Sequence, residues 1–216
     1  MSTQLHSELK KEFQLERMVL FSDAVFAIAI TILVIEIKVP PIDRHTATDA
    51  ILLKALDDQM PKFVGFIISF FIIGLYWTIH HRMFGYVINY TRRLLWLNLV
   101  FLLAVVLMPF STAFYSEFIL RLLKTPAIIY VANIVFLGIM NFILWTYITN
   151  PKHQLSEGIT PQDKKYFDFR SIMVPIIFIL MAIVYLFINR KYAIWIPISI
   201  PLLMRIFRKF YFKRNK

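Results

Sequence analysis

The chain has 216 residues, 59% of them hydrophobic, with a formal net charge of +11 and a mean hydropathy of +0.66. Such a composition excludes an ordinary soluble domain and makes an all-α, polytopic membrane protein the expected class. There is no cysteine, which removes disulfides, thiolate chemistry and cysteine metal sites, and the basic excess is expected in cytoplasmic loops rather than on nucleic acid.

Residues 1–16, MSTQLHSELKKEFQLE, hold no apolar core and read as an amphipathic cytoplasmic lead-in, not as a cleavable signal peptide. The first span is expected from Met18 to Ile37, 20 residues, the length that crosses a hydrocarbon core as a helix. It carries Ser22, Asp23, Thr31 and Glu36, polar groups that an anchoring helix has no reason to hold. At about 100° per residue, Phe21, Ala24, Ile28, Ile32 and Ile35 fall on one stripe with Thr31 at its edge, and Arg17 stands above its cytoplasmic end. Asp23 points about 140° away from Ile28. Glu36, beside Lys38, reads as a boundary charge that could draw cations to the outer mouth.

Pro40 and Pro41 stop that helix, and a short helix containing Ile51, Leu52, Leu53 and Leu56 is expected after Thr48 or Asp49 as cap. The second span is expected over residues 61–82, with Gly65, Ser69 and Gly74 as small residues that admit a close neighbour. The third covers about 94–117 with a break near Pro109; the fourth, 126–149. A polar loop, NPKHQLSEGITPQDKKYFD, leads to a fifth span over 171–188 and a sixth over 192–207. Six spans with both termini inside place sixteen lysines and arginines on the cytoplasmic side against eight outside. Residues 1–216 therefore read as a single six-helix domain.

No phosphate-cradling loop, nucleophile elbow or zinc-binding helix pair is present, so an enzyme is not expected and no cofactor is implied. His80 and His81 are adjacent, so their rings diverge on a helix and cannot share a metal. Asp23, His80, Trp96 and Asn98 instead fall in one cytoplasmic-side layer, where imidazole, indole and amide can satisfy a carboxylate. A proton relay or ion site is one reading of this layer. A buried network fixing the first helix against the next two is the other, and it is preferred because Asp23 faces away from the apolar stripe.

The pattern R-x-x-x-F-S-D at Arg17, Phe21, Ser22 and Asp23, followed by AVFAIAITILVIEI, resembles the first-helix signature of the transmembrane protein 175 family of potassium channels. Trp77-Thr78-Ile79-His80-His81-Arg82, Asn98-Leu99 and Pro109-Phe110-Ser111-Thr112 resemble the same family. The resemblance implies a single-repeat, six-helix bacterial member, a homotetramer in the plasma membrane that passes monovalent cations. It also implies a packing role for the R-x-x-x-F-S-D residues; with Trp77, His80, His81, Trp96 and Asn98 they make up the expected structural polar network.

The stripe on the first helix has two readings, a helix–helix seam or the lining of a pore. The resemblance favours the pore, because family members use bulky aliphatic residues of this helix as the constriction. The position five residues after the motif aspartate is Ile28; Ile32 and Ile35 continue the stripe, Thr31 adds hydroxyls, and potassium ions would pass near Ile28 and Thr31. Dry aliphatic rings can gate by dewetting and favour the ion that sheds water more readily. No TVGYG carbonyl filter exists in the chain. The alternative is a proton-coupled small-molecule transporter using Asp23 and the histidines of the second span, although the glycine and proline interruptions do not repeat in corresponding positions.

Overall fold

The computed structural model describes residues 2–121, 123–188, 190–193, 196 and 199–213. They form an all-α membrane protein: α1 Ser2–Ile35, α2 Asp49–Asp58, α3 Met60–Phe84, α4 Arg92–Val106, α5 Met108–Phe118, α6 Lys124–Ile148, α7 Pro161–Phe187, α8 Arg190–Ala193 and α9 Ser199–Lys213. Among the described residues five segments are long and apolar enough to cross a membrane. They are Lys11–Ile35, Met60–Phe84, Arg92–Arg121, Lys124–Ile148 and Pro161–Phe187.

The polar lead-in and the first span are one continuous helix. Thr48 caps α2 by accepting the Ile51 N–H at 3.4 Å. Gln59 closes α2 and opens α3, with Pro61 in the first turn of α3, where its missing N–H costs nothing. Thr91 caps α4 through the Leu94 N–H at 3.1 Å. The third span breaks for a single residue at Leu107, because Pro109 has no N–H to return to the preceding turn. The bond from Ser111 N–H to the Leu107 carbonyl at 3.1 Å resumes the helix at once.

The fifth span begins earlier than its hydropathy suggests. Residues 161–168, expected in a loop, are helical and form the start of α7. Thr160 accepts the Asp163 N–H at 3.1 Å and donates its hydroxyl to the Asp163 carboxylate at 2.8 Å, a reciprocal cap that starts a helix in polar sequence. Of the expected sixth span, Ile194, Trp195, Pro197 and Ile198 lie outside the described residues. On either side, α8 and α9 both pack against α7, and Phe207 of α9 stacks on Phe169 with ring centres 3.8 Å apart.

The core centres on α6, which packs on α4, α5 and α7. Gly138 admits the ring of Pro175, which a Cβ at that position would overlap. Two bonds join α6 to α7: Asn141 donates to Ser171 at 2.9 Å, and the Trp145 indole to Asp168 at 2.8 Å. Hydroxyls tie α3, α5 and α6 together, Thr112 donating to Ser69 at 2.7 Å and Ser69 sharing a proton with Tyr130 at 3.1 Å. Gly65 leaves room for the side chain of Ser116, whereas Gly74 faces open space. This framework holds α1 along one side, against α3, α4 and α5.

Candidate functional site on the first helix

In α1 the buried residues Met18, Ser22, Phe26, Ala29 and Leu33 recur every three or four positions, the repeat of one helical stripe. Phe26, 1% exposed, packs against the rings of His80 and Phe101. The opposite side is bare. Phe21, Ala24, Ile28, Thr31, Ile32 and Ile35 are all exposed, Ile28 at 57%. With Ala27 and Val34 they leave an open arc of about 160° on the helical wheel. From Ile28 to Ile35 the stripe rises about 10 Å.

Thr31 sits inside this arc with its hydroxyl hydrogen directed at the Ala27 and Ile28 carbonyls, 3.0 and 2.9 Å away. Its donor is therefore used within the helix, and its outward lone pairs are left to accept. Such an oxygen offers partial negative charge to a cation and nothing to an anion. Ile30, off the stripe, is partly buried against the core rather than on a lipid face. Beside Ile28 and Ile32 an open apolar groove of about 510 Å³ runs between α1 and α5, with Phe110 and Phe114 on its far wall and Glu36 and Glu117 lining it. Its aromatic ladder, Phe110, Phe114 and Phe118, has ring spacings of 6.0 and 5.5 Å. Sequence reasoning gave Phe114 and Phe118 no role; the regular spacing of four residues from Phe110 to Phe118 was the signal.

Two polar clamps hold the buried side of α1, and they are separate. In the first, His80 Nε2 lies 2.9 Å from Asn98 Oδ1, and Asn98 Nδ2 donates to Ser22 Oγ at 2.8 Å. Ser22 in turn donates to the Met18 carbonyl at 2.8 Å. Since the Ser22 hydrogen is spent on that carbonyl, Asn98 must donate to Ser22 and accept from His80, which places the imidazole proton on Nε2. All three side chains are buried, and His80 is stacked between Phe84 and Phe101. The chain runs one way, from α3 through α4 to the backbone of α1.

In the second clamp the Trp77 indole donates to Asp23 at 2.9 Å, joining α1 to α3 nearer the surface. Asp23 thus bonds Trp77, not His80 or Asn98. His81 is exposed and meets Trp77 only as a ring contact at 5.7 Å. Trp96 is 62% exposed and makes no hydrogen bond among the described residues, so the layer expected from sequence is smaller than its depth alone suggests. Arg17 is exposed with its guanidinium 5.7 Å above Phe13.

Residues 17–109 match the family described as endosomal/lysosomal potassium channel TMEM175. A curated relative from Streptomyces collinus, "Potassium channel B446_29190", is 37% identical over 135 residues, 62% of this chain and 64% of its own. The chain thus spans just under two thirds of that relative. "Potassium channel Cha6605_3372" from Chamaesiphon minutus is 31% identical over 152 residues, 69% of this chain and 73% of its own. Among solved structures, that of "a lysosomal potassium-selective channel TMEM175 homolog from Chamaesiphon Minutus" superposes with a TM-score of 0.74 at 25% identity. It covers 89% of this chain and 97% of the solved one. With its first-helix motif and this agreement in sequence and fold, the chain belongs to the TMEM175 family.

Proposed function

We propose that the chain is one subunit of a homotetrameric, potassium-preferring cation channel in a bacterial plasma membrane. Six spans put both termini in the cytoplasm, and α1 of each copy lines a central pore. Ile28, Ile32 and Ile35 form stacked aliphatic constrictions, with Thr31 oxygens between them. One observation carries this reading: an apolar face of α1 about 10 Å long stays bare while the rest of the helix is clamped in place. An aliphatic stripe clamped so firmly on its other side is built to meet something, and four copies around an axis would cover it. The relatives named as potassium channels supply the ion.

The physical mechanism follows from dehydration. An ion entering an aliphatic ring loses water that no dipole replaces, and the penalty is smaller for potassium than for the more tightly hydrated sodium. Thr31 oxygens stand where partial compensation is needed. A channel of this kind catalyses no reaction and requires no cofactor; potassium is the permeant ion. A transporter working through Asp23 and the histidines is less well supported, because Asp23 is held by an indole and His80 is closed off among aromatic rings.

Purified protein in potassium-loaded liposomes should pass potassium down its gradient with no second solute present. Flux that requires a proton or solute gradient would overturn the channel reading. A reporter fused after Lys216 should be active only in the cytoplasm, and periplasmic activity would remove the six-span topology.

A further inference from the structure

On the arginine-rich side of the membrane, Arg82 of α3 and Arg170 of α7 come together beside Phe167 without an ion pair to a carboxylate among the described residues. Arg82 lies in the last turn of α3, its guanidinium 5.9 Å over the ring of Phe167. Arg170 of α7 is half-buried, donates to the Tyr166 hydroxyl and is close enough to Arg82 for their charges to repel. Neither forms an ion pair with a carboxylate among the described residues. The nearest acid in sequence, Asp168, is engaged by the Trp145 indole at 2.8 Å. Phe207 of α9 packs against Tyr166 with ring centres 6.5 Å apart, which brings the exposed Arg205 and Lys209 to the same end of α7.

Like charges held together beside aromatic rings destabilise the fold unless an anion joins them. We infer that Arg82 and Arg170 bind the phosphate of an anionic phospholipid headgroup in the leaflet on the arginine-rich side. Depth selects the lipid over a free anion. Arg170 stands two residues before the apolar run that begins at Ile172, and Arg82 two residues from the end of α3. That is the level of headgroup phosphates, and basic pockets between spans on this side are where anionic headgroups are held. Arginine suits the role because its planar fork gives a phosphate two parallel bonds, while Phe167 supports the guanidinium face. Neither arginine lies on the bare face of α1.

The test uses the full chain, delipidated in detergent, with lipid adducts counted by native mass spectrometry. Dioleoyl phosphatidylglycerol should be retained in preference to dioleoyl phosphatidylcholine. Arg82→Gln and Arg170→Gln should each lower the phosphatidylglycerol-bound fraction by about fivefold, the effect of one interfacial basic residue. Lys54→Gln on the opposite side should leave it unchanged. Equal retention of the two lipids by the wild type would overturn the proposal, whatever the variants do. So would unchanged phosphatidylglycerol retention in a folded Arg82→Gln, Arg170→Gln double variant. Inorganic phosphate at millimolar concentration should not displace the lipid; displacement would reassign the site to a free anion and overturn the lipid assignment.

Discussion

Replacing Ile28 with asparagine separates pore lining from packing more cleanly than any other change in the chain. Ile28 is 57% exposed within the subunit, so little of its apolar surface is committed to the core. The cost to the fold of one subunit should therefore stay below about 1 kcal/mol, the range of substitutions outside cores. In the four-fold ring proposed above the consequence is larger. Four amides replace four sec-butyl groups and supply dipoles where a dehydrating ion has none. Unpaired polar burial in proteins is worth about 1–3 kcal/mol, and a fall of about 1.4 kcal/mol in the barrier raises conductance tenfold. Sodium, the costlier ion to dehydrate, should benefit more, so potassium preference should shrink. Bilayer recording under bi-ionic potassium and sodium reads both quantities. The same substitution at Ile179, an exposed position on α7, should leave both unchanged. If Ile28→Asn assembles normally with conductance and reversal potential as in the wild type, α1 does not line the pore and its bare face is a packing seam.

Other substitutions divide the roles of neighbouring residues. Thr31→Val keeps the shape but removes the outward oxygen; reversal potentials should move toward equality of potassium and sodium with no loss of thermal stability, since the residue is exposed. Asn98→Leu should cost about 2–3 kcal/mol in a denaturation midpoint, because it strands the buried His80 donor and leaves Ser22 unmatched. Asp23→Asn still offers an oxygen to Trp77, so it should lower thermal stability by about 1 kcal/mol and change ion preference less. A well-assembled Asp23→Asn protein whose selectivity alone collapses would instead put that residue in the ion path. Gly138→Ala drives a methyl group into Pro175 and should cost about 1–3 kcal/mol by thermal scanning, whereas Gly74→Ala, facing open space, should be neutral or stabilising.

Membrane class, the first four spans and the small helix after Thr48 were legible in the sequence because each depends on local properties. A span needs only length and apolarity, and a cap needs only a hydroxyl at the right residue. The stripe from Phe21 to Ile35 was legible too, as a periodicity. Its meaning was not. The same spacing describes a buried seam and an exposed lining, and only the fold assigns Met18, Ser22, Phe26, Ala29 and Leu33 to the inside and leaves Ile28 bare. The start of α7 escaped hydropathy because its first turns are polar, and a reciprocal Thr160–Asp163 cap does the work that apolar residues do elsewhere. Depth along a helix can be counted from sequence, which brought Asp23, His80, Trp96 and Asn98 to one level. Azimuth against a neighbour cannot, because it depends on how three helices pack. That packing turned Asn98 inward between His80 and Ser22, gave Asp23 to Trp77, and left Trp96 facing out.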